Sequence, residues 1–179
     1  MSAQSQPLPE FRNEPMADFS NPANRRAMEA ALQKVHSEFG NEYDLLVGGE
    51  RIKTAEKLRS VNPSHPSEVV GIHQKATPEL ANRAVESAYE YFREWGSTNP
   101  NERVRKLLAA ARLLREHKFE FNAWLVYEAG KTWPEAEADV SEAIDFCEYY
   151  AREMLRLSGP QPTVQMPGEK DELQYLPLE

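Results

Sequence analysis

One thiol and a dense run of carboxylates are the groups in this sequence that could do chemistry. Cys147 is the only cysteine, and so the only candidate for thiolate attack on a carbonyl. A reactive thiolate is stabilised by a helix N-terminus or a neighbouring cation. Cys147 instead shares a helical stripe with Ala143, Ile144, Ala151 and Met154, and it reads as a small buried hydrophobe. Glu135, Glu137, Asp139, Glu142, Asp145 and Glu148 crowd the same stretch. Glu135 and Glu137 suit the start of a helix, where the macrodipole favours negative charge, and they read as a solvated face. Glu142 lies two turns further in, where that account weakens. On residue type alone it is either a solvated acid or a functional one.

Other chemistry is missing. His36, His65, His73 and His117 are scattered, and no pair has the i, i+3 or i, i+4 spacing of helical metal ligands, so no metal site is expected. There is no G-x-G-x-x-G, no Walker A loop and no serine-centred nucleophile elbow. No residue of this chain is therefore expected to be catalytic or to bind a cofactor or metal.

The elements that must position these groups follow from the pattern. Residues 1–20 hold Pro7, Pro9 and Pro15 without periodicity, and they read as an extended, loosely held arm. Asn21 and Pro22 open a helix with Ala27, Ala30, Ala31, Val35 and Phe39 on one face and Gly40 as its stop. Tyr43–Val47 and Arg51–Thr54 around Gly48-Gly49 read as a β-hairpin. Ser60 to Asn62 ends a strand, Pro63 to Pro66 is a loop, and Glu68 to His73 is a further strand. Thr77-Pro78-Glu79 and Asn99-Pro100-Asn101-Glu102 are two helix starts. The first carries a stripe of Ala81, Ala84, Val85, Ala88, Phe92 and Trp95, the second one of Val104, Leu107, Leu108, Ala111 and Leu114. Phe119–Tyr127 is a shorter helix closed by Gly130. The longest helix runs from Thr132 or Trp133 to about Leu157, and 163–166 and 172–176 read as two short strands joined by a turn at 168–171.

Composition sets the limits. The chain has 179 residues, with 21 Lys+Arg against 29 Asp+Glu, for a formal net charge of −8. An acidic chain is a poor partner for nucleic acid or an anionic membrane. No apolar run approaches the ~20 residues that span a bilayer, and the N-terminus has no apolar signal core. A cytoplasmic protein is expected. The helices have few strands to cover, and the last strand ends at Glu179 unpaired, so part of a larger fold is expected to be absent.

The string EAGKTWPEAEADVSEAIDFCEYYARE, Glu128 to Glu153, resembles the N-terminal region of the aldehyde dehydrogenase superfamily. The arm FRNEPMADFSNPANRR, the hairpin YDLLVGGERIKT and the stretch Glu142 to Phe146 resemble the branch that oxidises L-glutamate γ-semialdehyde. The resemblance runs from about Phe11 to Glu179. It implies an α/β fold, helix-rich, with the hairpin near its start. Residues 21–159 would be the N-terminal part of the cofactor-binding domain, and 160–179 the start of the oligomerisation element.

In that family a Cys thiolate attacks the aldehyde, hydride passes to NAD, and a Glu-activated water releases the acid. The motifs for the nucleophile, the general base, the oxyanion Asn and the nicotinamide turn do not occur here, and Cys147 does not match the nucleophile motif. The chain thus resembles the first third of such an enzyme and alone is expected to be inactive. One position carries over. Nine residues before Ala151 of the Tyr-Tyr-Ala triplet, Glu142 matches a substrate-pocket position that is Glu in this branch. The implied role is to pair with the α-ammonium of glutamate semialdehyde; Tyr149 and Trp133 are further candidates for the same region. The resemblance also implies a homo-oligomer acting in proline and arginine breakdown. Two alternatives remain: a short inactive helical module that binds the full enzyme, or a family member with another aldehyde as substrate.

Overall fold

The computed structural model describes residues 8–178, so the expectations for residues 1–7 and for Glu179 lie outside the described residues. Five helices and two small sheets make up the mixed α/β architecture.

Helix α1, Pro22–His36, opens as expected: Asn21 Oδ1 accepts the Ala23 N–H at 2.8 Å, and Pro22 occupies the first turn. Gly40 is not its stop. Ser37 caps the helix by returning its N–H to Gln33 and Lys34, and Gly40, at φ 78°, turns the chain three residues later. Strand β1, Glu42–Tyr43, then runs parallel to β5, His65–Gln74, with Tyr43 opposite His73. The expected hairpin strand from Tyr43 therefore divides at Asp44. Only β2, Leu45–Val47, pairs with β3, Glu50–Ile52, around Gly48 and Gly49 at φ 58° and 82°. That doubly positive φ is the geometry a two-residue hairpin turn requires.

Strand β4, Lys57–Asn62, pairs antiparallel with β5, giving the order β1-β5-β4. The expected loop at 63–66 is a two-residue turn, and β5 starts at His65. The Asn62 side chain makes that turn by accepting the Ser64 N–H at 3.0 Å.

Helix α2, Pro78–Ser97, is capped by Thr77 and has no buried residue. Its apolar stripe is present, yet Val85 is 70% exposed, because among the described residues little more than β2 lies against it. Helices α3, Pro100–Glu116, and α5, Trp133–Leu157, pack together through Ala111, Val140 and Ile144, with Cys147 at the edge. Helix α4, Lys118–Ala129, packs against α1 around Met28, Ala31, Val35 and Ala123. Gly130 closes α4 in the left-handed region at φ 68°, as its position in the pattern requires.

Two expectations about the chain ends change. The arm over residues 8–20 is extended but not loose. The Pro9 carbonyl accepts from Arg152 Nε at 2.9 Å, the Pro15 carbonyl from Lys118 Nζ at 3.0 Å, and Phe19 packs on Phe119 and Trp133. After α5, the strands expected at 163–166 and 172–176 reduce to one bridge between Gln161 and Leu173. Two short segments with only each other to bond do not form a ladder. The Gln165 side chain takes the backbone N–H and C=O of Asp171 instead.

Candidate functional site

Helix α5 presents Glu142 by cap chemistry at its start and by packing along its length. The Thr132 N–H donates to the Glu135 carboxylate at 2.9 Å, closing a capping box. Burial of Ala136, Val140, Ile144 and Ala151 then fixes which face turns inward. Glu142 falls on the opposite face. It is exposed and makes no hydrogen bond or ion pair among the described residues. Phe146, one turn on, and Tyr149 and Tyr150 beyond it are also exposed; Phe146 and Tyr150 stack with ring centroids 5.9 Å apart. A free carboxylate beside aromatic faces suits a cationic group, through charge and cation–π attraction.

The arm holds this segment in place. Asp145 accepts the Glu14 N–H at 2.6 Å and the Asn13 amide at 2.7 Å, and Phe11 meets Tyr149 edge-on at 5.5 Å. Arg115 bonds Glu14 at 2.9 Å and Glu148 at 3.3 Å, joining arm, α3 and α5.

The other candidates separate. Tyr149 lies on the Glu142 side of α5, seven residues on. Trp133 lies nine residues earlier, about 13 Å along the axis at 1.5 Å per residue, and packs into the core against Phe19. It does not join Glu142. Cys147 packs beside Ala111 and Ile144, and burial, reinforced by Glu148, pushes its thiol up. That suppresses the thiolate, so Cys147 has no nucleophile's environment. Among the described residues, no group of three His, Cys, Asp or Glu side chains converges on one point.

Glu137 departs from the reading as a solvated first-turn acid. It is fully buried, 2.5 Å from Lys118 Nζ. It also accepts from the Asn122 amide and the Ala17 N–H, each at 2.7 Å. Its spacing, three and seven residues before Val140 and Ile144, puts Glu137 on the buried stripe, which Glu135 misses; its partners come from the arm and α4.

In the doubly wound dinucleotide fold the pyrophosphate sits at a glycine-rich turn between a strand and a helix N-terminus. The positive-φ glycines here are Gly40, Gly48, Gly49, Gly130 and Gly168, and none lies on a strand-to-helix connection. No described helix is long and apolar enough to cross a membrane.

Comparison with known proteins agrees with this architecture. The model of the aldehyde dehydrogenase family matches residues 51–178. A Geobacillus thermodenitrificans protein named 1-pyrroline-5-carboxylate dehydrogenase is 51% identical over 168 residues, 94% of this chain and 33% of the relative. The crystal structure of a Thermus 1-pyrroline-5-carboxylate dehydrogenase with bound NAD superposes with a TM-score of 0.90 at 49% identity, covering 95% of this chain and 33% of that one. A Mycobacterium tuberculosis Δ-pyrroline-5-carboxylate dehydrogenase gives a TM-score of 0.85 at 26% identity, over 99% of this chain and 33% of that one. The chain thus spans about a third of the length of the relatives it matches.

Proposed function

The chain belongs to the aldehyde dehydrogenase family, and from that premise we propose that it is the N-terminal third of an NAD-dependent enzyme that oxidises L-glutamate γ-semialdehyde to L-glutamate. The observation that carries this reading is the 51% identity across 94% of the chain to a protein named for that reaction. The whole enzyme would be a cytoplasmic homo-oligomer in proline and arginine breakdown, with residues 160–178 beginning its oligomerisation element.

In this reading NAD accepts the hydride, and it is held by parts of the enzyme other than these residues. What this chain supplies is one wall of the substrate pocket. Glu142 has no partner among the described residues, so its carboxylate is available for the substrate's α-ammonium. Partial desolvation by the rest of the enzyme would strengthen that pairing, because Coulomb attraction grows as the local dielectric falls. Phe146 and Tyr149 flank it and favour the same cation. The arm, through Asp145, holds the turn that carries Glu142. Cys147 takes no part.

The test uses the whole enzyme that carries this sequence, with NADH formation as the readout. Glu142→Ala is expected to raise KM for glutamate semialdehyde while leaving simple aliphatic aldehydes unaffected. Equal activity of the variant on both classes would remove Glu142 from the site, and a preference of the unaltered enzyme for another aldehyde would change the substrate. The 179-residue chain alone is expected to form no NADH with any aldehyde.

A further inference from the structure

A second concave site lies between β1, β5 and α4, beside the turn that follows α1 and away from the Glu142 face. Tyr43, Val70, Gly71, His73 and Trp124 line a cavity of about 320 Å³, with Glu38 and Glu128 at its rim. That volume is at the lower end of small-molecule sites. Its walls are aromatic. Tyr43 and His73 stack at 5.4 Å with an interplanar angle of 19°, and Trp124 meets Tyr43 edge-on at 6.5 Å. Gly71 makes the room, since a Cβ there would sit 3.0 Å from His73 Nε2 and 3.3 Å from the Tyr43 ring.

The carboxylates around the cavity form no close ion pair, and Glu38 acts on Lys34 only at longer range. Neither Glu38 nor Glu128 forms an ion pair among the described residues. Glu128 accepts only from Ser60 Oγ, at 2.8 Å. Lys34, one turn before Glu38, is committed to Glu120 at 2.7 Å. The Tyr43 hydroxyl is buried and makes no close hydrogen bond, with the Asn41 side chain as the polar group beside it. Burial first, then the Glu38 charge and more weakly that of Glu128, push the Tyr43 phenol up, against the Asn41 side chain, which pulls it down. Two carboxylates outside any close ion pair, a buried hydroxyl and electron-rich ring faces share one complement: a small organic cation with N–H donors.

We propose that this cavity binds a protonated primary amine. The ammonium donates to the Glu38 and Glu128 carboxylates and to Tyr43 Oη, and the alkyl stem lies against Trp124 and Val70. This site is separate from the Glu142 face and takes no part in aldehyde oxidation, so its test does not depend on dehydrogenase activity.

The probe is n-butylammonium, titrated into the 179-residue chain while the backbone amides of Gly71 and Tyr43 are followed by NMR. n-Butanol and butyrate serve as the neutral and anionic counterparts. The expected result is a saturable shift at Gly71 and Tyr43 with the ammonium, at least about tenfold weaker with the alcohol and absent with the acid, since one charge-assisted hydrogen bond is worth roughly that factor. Glu38→Gln and Glu128→Gln keep shape and hydrogen bonding, and circular dichroism checks that each folds. Each is expected to weaken n-butylammonium about tenfold. Equal binding of n-butanol, no saturation, shifts located elsewhere, or unchanged affinity in both variants would overturn the proposal.

Discussion

Lys118 and Glu137 face each other across the α4–α5 interface at 2.5 Å, with the glutamate side chain fully buried and the lysine 10% exposed. Both also bind the arm, Lys118 through the Pro15 carbonyl and Glu137 through the Ala17 N–H. One buried ion pair thus ties two helices to a segment about a hundred residues earlier in the chain.

Breaking that pair from one side should be costly. Glu137→Ala leaves the Lys118 ammonium buried and unpaired, which costs about 3–5 kcal/mol in such settings. The double change Lys118→Met with Glu137→Leu removes both charges and should recover most of that loss. Urea unfolding of the parent and the two variants measures it. A single variant within 1 kcal/mol of the parent would mean that water reaches the site.

Glu142→Gln should leave folding unchanged, within about 0.5 kcal/mol, because the side chain is exposed and unpartnered. Thermal unfolding checks this. A neutral result would assign any activity lost in the whole enzyme to substrate contact, and a large destabilisation would show that Glu142 is a structural residue.

Gly130 should resist substitution. Its φ of 68° is in the region that disfavours a side chain, and an added Cβ would sit 3.0 Å from Pro63 Cγ. Gly130→Ala is expected to cost about 1–2 kcal/mol by denaturant unfolding. A neutral outcome would require α4 to end in another cap.

The Lys34–Glu120 pair predicts a pH dependence of known sign. The hydrogen bond from Lys34 holds the Glu120 carboxyl below the usual glutamate range, with His117 adding to the effect. A depressed folded pKa contributes stability above the unfolded value, and that stability is lost as pH falls through the folded one. Lys34→Met should therefore cost only a little at neutral pH, because Lys34 is well exposed and solvent screens the pair. The cost should vanish under acidic conditions. Unfolding at pH 7 and pH 3 checks it, and a cost that persists at pH 3 would attribute the effect to packing of the lysine stem.

Cys147 should be slow to alkylate. With its thiol pushed up by burial, its reaction with iodoacetamide at pH 8 should lag that of free glutathione severalfold. Faster labelling would mean that α5 opens at its Ala111 contact.

Local chemistry made much of the fold legible. Asn21, Thr77 and Asn99 cap where their type and the following proline said they would, because a cap needs only its own turn. Gly130 ends α4 for the same reason. The Glu142 position was legible only through resemblance, since its exposed face carries no partner. Glu137 was misread beside Glu135: both lie near the start of α5, but Glu137 stands on the Val140–Ile144 stripe and meets Lys118.

What the sequence determined by itself was therefore the helices, their caps, the Gly48-Gly49 turn and the stripe that leaves Cys147 half-buried at its edge, all set within a few residues by hydrogen bonds and periodicity. Tertiary structure alone decided three things. Tyr43 leaves the hairpin to pair with β5 and form the aromatic cavity, the arm is tied down by Lys118, Asp145 and Arg152, and the segments after α5 form one bridge rather than a ladder. Each depends on groups brought from far along the chain, and a side chain's burial or a strand's pairing exists only once that neighbour arrives.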